Sequence, residues 1–71
     1  MQVVVKIKLK EILAERNMTQ SELAKLSNLS ETAISTFARG QGNSINKEYL
    51  SKIAIVLNIT NISEILELEF I

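Results

Sequence analysis

At both ends of the chain apolar and polar residues alternate with a period of two. Val3, Val5 and Ile7 lie on one side against Val4, Lys6 and Lys8 on the other, which predicts a strand over residues 3–8. Leu66, Leu68 and Phe70 alternate with Glu67 and Glu69, which predicts a second strand over residues 66–70. Antiparallel pairing sets Lys6 and Lys8 across from Glu67 and Glu69, while the valines and leucines cover the helices between. Such charge pairs are worth about 0.2–1 kcal/mol each, so they select a register and do not hold a fold.

Between the strands the period becomes helical. Leu9, Ile12 and Leu13 mark a first helix that stops near Arg16 and Asn17, after which Met18 turns into the core. Thr19 and Glu22 form an S/T-x-x-E capping box, so a second helix begins at Gln20, with Leu23, Ala24 and Leu26 on one side. Ser27-Asn28-Leu29-Ser30 interrupts the pattern. Asn28 is the expected left-handed residue, because asparagine tolerates positive φ better than other non-glycine side chains. Ser30 caps a third helix with Ala33, Ile34 and Phe37 inward and Gly40 at its stop. The glycine-bearing stretch Gly40 to Ser44 is a loop. Asn46 caps a fourth helix through Leu50, Ile53, Ala54 and Leu57, and Thr60 or Asn61 caps a last short turn carrying Ile62, Ile65 and Leu66.

Gln20-x-x-Leu23-Ala24 followed by Ser30-x-x-Ala33-Ile34-Ser35-x-x-x-x-Gly40 resembles the helix-turn-helix of the lambda-repressor/Cro-like (XRE) family. The family places alanine at the helix crossing, here Ala24, a small apolar residue in the turn, here Leu29, and a branched aliphatic in the recognition helix, here Ile34. One departure is Asn28, where the family usually has glycine; asparagine reaches the same backbone angles at modest cost. The resemblance implies a mainly α, five-helix lambda-repressor-like domain with short terminal β-strands forming an antiparallel pair. Residues 1–71 are expected to form one domain, with the helix-turn-helix at residues 20–39.

Composition narrows the chemistry. The 71 residues contain no cysteine, histidine or aspartate, which removes disulfides and the parts of zinc sites and nucleophile–base pairs. The remaining Glu, Lys, Ser and single Tyr are a poor inventory for acid–base work near neutral pH, so no enzyme, cofactor or metal is expected. The apolar run at the start, Val3 to Val5, is too short for a secretion signal, and no stretch approaches the roughly 20 apolar residues that span a bilayer. A soluble, cytoplasmic protein with no membrane partner is expected.

Function is argued from the outward side of the third helix, residues 31–39. With Ala33, Ile34 and Phe37 inward, Glu31, Thr32, Ser35, Thr36 and Arg39 face out, and their short polar side chains suit a major groove about 12 Å wide. The resemblance implies base-edge contacts from this face: Glu31, Thr32 and Thr36, with Ser35 beside them. Glutamate accepts from cytosine N4, and threonine offers a hydroxyl and a methyl that suits thymine. It also implies that Gln20 and Ser30 lie near the phosphate backbone. Arg39, Asn43, Ser44 and Lys47 surround the loop and the start of the fourth helix, where first-turn amides favour phosphate.

The charge balance opposes this reading. Eight Lys+Arg offset eight acidic residues, whereas nucleic-acid binders are usually basic. Weak affinity per monomer follows, so useful binding requires a homodimer, through the terminal strands or the C-terminal helix. The expectation is a sequence-specific double-stranded DNA-binding regulator, a repressor. The alternative is a protein-interaction module on the same scaffold, an antitoxin or anti-regulator with little DNA binding.

Overall fold

In the computed structural model, which describes residues 1–40 and 44–71, β1 (Val3–Ile7) and β2 (Leu66–Phe70) bring the two ends of the chain together as an antiparallel ribbon. Helices α1 (Leu9–Glu15), α2 (Gln20–Ser27), α3 (Glu31–Arg39) and α4 (Lys47–Leu57) lie between them. The fifth helix expected from the sequence is a single 3₁₀ turn, Ile62–Glu64. Asn61 explains the shortening: its Oδ1 accepts from the Ser63 amide at 3.0 Å and hydroxyl at 2.8 Å, and β2 begins before a second turn can close.

Local chemistry sets each helix boundary. Thr19 Oγ1 accepts from the Glu22 amide at 3.0 Å while Glu22 Oε1 accepts from the Thr19 amide at 3.1 Å, completing the capping box. Ser30 Oγ accepts from the Ala33 amide and Asn46 Oδ1 from the Tyr49 amide, starting α3 and α4. Each such cap stabilises by about 1 kcal/mol. Asn28 ends α2 in the left-handed region at φ 60°, as expected, and Asn17 and Asn58 adopt the same conformation after α1 and α4. Gly40 ends α3 at φ 64°.

The core is made by Leu9 and Leu13 of α1, Leu23 and Ala24 of α2, Ile34, Phe37 and Ala38 of α3, Ile53 and Leu57 of α4, and Ile65. Burying each large aliphatic side chain contributes about 1.5–3 kcal/mol. One assignment is corrected: Leu26 is 63% exposed, and Ser27 takes the buried position. At 100° per residue Leu23, Ser27 and Ala24 make one stripe, and Leu26 falls outside it. The Ser27 hydroxyl avoids a burial penalty by donating to the Leu23 carbonyl at 2.7 Å.

The ribbon also differs from expectation. β1 ends at Ile7, and Lys8 becomes the residue before α1, its amide donating to the Ile65 carbonyl at 2.7 Å. Register pairs Lys6 with Glu67 but Val4 with Glu69, so Lys8 faces neither acid. The Lys6 ammonium lies 3.8 Å from Glu11 of α1. The valines and leucines of the ribbon do not cover the helices: Val3, Val5, Leu68 and Phe70 are exposed, and only Ile7 and Leu66 at its base pack against the core. Among the described residues no helix is long and apolar enough to cross a membrane.

Candidate nucleic-acid interface

α3 divides its side chains sharply. Ile34 is fully buried and Phe37 and Ala38 nearly so, whereas Glu31, Thr32, Thr36 and Arg39 are exposed. Ser35 lies between these two sides, half-buried, as does Ala33. Ala38 was not among the expected inward residues; it follows Ile34 by one helical turn and shares its side.

The corner between α2 and α3 fixes how that side is presented. Asn28 and Leu29 donate their amides back to the last turn of α2, Leu29 to the Ala24 carbonyl at 3.0 Å, and Ser30 restarts the helix two residues after the left-handed residue. Ala24, at the crossing, is buried and Leu29 packs against the core from the turn. A bulkier residue at Ala24 would push the helices apart.

The residues expected to meet a duplex fall into two groups. Ser30 and Glu31 line a shallow depression with Ser21, Lys25 and Asn28, so a cation of α2 and the one acid of α3 border the same depression. Lys25 was missed by sequence reasoning, because only the fold relates it to Glu31. Thr36 lines a second, open groove with Ser44, Asn46 and Tyr49. Gln20 is half-buried at the first position of α2, apart from that groove. Arg39 ends α3 and Lys47 begins α4, both exposed. Asn43 lies outside the described residues, as does most of the expected loop.

Among the described residues there are two ion pairs, Lys6 with Glu11 and Lys52 with Glu48, so Lys25, Arg39 and Lys47 enter none. Caps at Thr19 and Asn46 occupy the third amide of α2 and α4 and leave the earlier first-turn amides for other acceptors. Among the described residues no cluster of acidic side chains is arranged to hold a metal ion.

A short capped helix, a left-handed corner and a second helix with a bare polar side are the parts of a helix-turn-helix. The sequence pattern of the Cro/C1-type HTH DNA-binding domain matches residues 8–70, from the end of β1 through all four helices to β2. The chain belongs to this family. No curated protein and no solved structure matches it. The matched segment contains α2 and α3, and β1 lies before it.

Proposed function

We propose that this Cro/C1-type domain is a sequence-specific transcriptional regulator of double-stranded DNA, a repressor, that lays α3 in the major groove. The observation that carries the reading is the bare polar side of α3: Glu31, Thr32 and Thr36 stand exposed opposite buried Ile34, Phe37 and Ala38. In this reading those three residues and Ser35 read base edges. Gln20, Ser30, Arg39, Asn43, Ser44 and Lys47 hold phosphates and fix the register without reading sequence. Repression follows from occupying a promoter. Residues 1–71 act as one domain, in the cytoplasm, and two copies bind half-sites one helical turn apart.

A zero net charge tempers the affinity of each copy. Glu31 repels phosphate wherever it lacks a donor. The same balance favours a second reading, in which the scaffold holds another protein and binds DNA little, as an antitoxin or anti-regulator.

Selection of bound sites from a random duplex pool, followed by titration against salt, tests the proposal. Enrichment of a two-fold symmetric site, with binding that weakens as salt rises, is the expected result. Absence of binding at low salt by a dimeric sample would overturn it in favour of the second reading.

A further inference from the structure

β1 contains Val3-Val4-Val5, the single run of three β-branched residues in the chain, and is apolar on both faces there. Over those three residues it therefore lacks the charged side chains that blunt the edge of a sheet. β2, with Glu67 and Glu69 between its apolar residues, has the charged composition of an edge. Yet the sheet has two strands, and among the described residues β1 has a neighbour on one side only.

The ladder shows what the other side offers. Gln2 and Ile71 exchange both backbone hydrogen bonds, at 3.0 and 2.8 Å, and the alternation of an antiparallel pair makes Val4–Glu69 and Lys6–Glu67 exchanging pairs too. The amides and carbonyls of Val3, Val5 and Ile7 therefore point away from β2. At the Ile7 end of that edge the Ile7 side chain packs beside the end of α3, where a Cβ placed on Gly40 would stand 3.5 Å from Ile7 Cδ1. Val3 and Val5, 50% and 54% exposed, form its open part.

We infer that this edge receives β1 of a second copy, antiparallel, with Val4 opposite Val4 across a two-fold axis and Val3 opposite Val5. The result is a four-stranded sheet with both β1 strands in the centre and both β2 strands outside. Its register keeps Val3, Val5, Leu68 and Phe70 of both copies on one face, so two exposed apolar patches become one continuous surface. Centring the pair on Val5 instead would set Val3 of the second copy opposite Ile7, at the end of the ribbon that packs against the core.

Charge selects this edge over the other. Pairing β2 with β2 about Leu68 would set Glu67 opposite Glu69 twice, whereas pairing β1 with β1 sets Lys6 opposite uncharged Gln2. Pairing β1 with β2 is head-to-tail and does not close. β1 also precedes the family-matched segment, so the contact lies outside residues 8–70. The inference rests on the paired-reader proposal for its need of two copies, and it names where they join. Because α3 packs on β1, the joint would also set the distance between the two α3 helices.

Sedimentation of the full chain without DNA, across a concentration series, tests this. Val5→Pro removes an amide that points to the open edge and leaves the bonds to β2 in place, a substitution edge strands accept. The unsubstituted chain should sediment as a dimer, and Val5→Pro as a monomer with unchanged helical circular dichroism. Since the chain has no cysteine, Val4→Cys and Glu69→Cys each carry one thiol. Under oxidant Val4→Cys should cross-link through its closely apposed partner and Glu69→Cys should not. A monomeric unsubstituted chain, a dimeric Val5→Pro, or cross-linking by the Glu69→Cys variant alone overturns the inference; if Val5→Pro fails to fold, the cross-link decides. Duplex binding is measured separately on the unsubstituted chain. A cross-linked Val4→Cys dimer whose unsubstituted parent has no affinity for DNA would retire the regulator reading and keep this one.

Discussion

Arg16, just past the end of α1, donates from Nη1 to the Leu57 carbonyl at the end of α4, 2.5 Å away across 41 residues of sequence. A cation at a helix C-terminus satisfies a carbonyl with no partner inside the helix and complements the dipole. The pair thus ties the end of the first helix to the end of α4.

Arg16→Met keeps an apolar stem and loses the bond. With the side chain exposed and the bond only part-buried, the loss should be about 1 kcal/mol, below the range for buried charged hydrogen bonds. A fall in the urea midpoint at constant slope checks it, and an unchanged midpoint would make the contact ornamental.

Asn28 holds φ 60°, which glycine adopts without strain and β-branched residues resist. Asn28→Gly should leave stability within about 0.5 kcal/mol or raise it slightly, whereas Asn28→Val should cost about 1–2 kcal/mol. Thermal unfolding of the two variants side by side tests the corner. Equal melting temperatures would mean that the backbone angle there carries no cost.

Ala24 is 5% exposed in the core, on the helix whose crossing with α3 the resemblance assigns to it. Ala24→Val adds two carbons to a filled crossing and should destabilise by about 1–3 kcal/mol. Chemical denaturation measures it, and a neutral result would place a void at the crossing.

Roles on the proposed interface separate by experiment. Thr36→Ala and Glu31→Ala should change which sequences are preferred, while Lys47→Ala should weaken all duplexes alike and lower the salt dependence by about one charge. Binding profiles over a site library distinguish these outcomes. Equal effects from all three substitutions would dissolve the division between base and phosphate contacts.

Residues whose role is local were legible in the sequence. The Thr19–Glu22 box, the caps Ser30 and Asn46, the left-handed Asn28 and the Ile34–Phe37 side depend on spacing of a few residues, and each lies where spacing alone puts it. What required the fold was tertiary. Leu26 reads as core by composition, but the angle of α2 gives the buried place to Ser27, whose hydroxyl is satisfied within its own helix. The ribbon reads as a cover for the helices by periodicity, yet a period of two says only that its faces differ, not that anything lies against either one. Of the candidate site, the outward residues of α3 were legible, and the depression that Lys25 shares with Glu31 was not, because the corner between α2 and α3 decides it.

The two sides of α3 have no duties in common. Ile34, Phe37 and Ala38 knit the bundle, while no side chain among Glu31, Thr32, Thr36 and Arg39 makes a hydrogen bond or ion pair to another described residue. If the proposed reading holds, evolution can rewrite the outer set wholesale, retargeting the molecule by transplanting a handful of side chains onto an architecture that does not register the exchange.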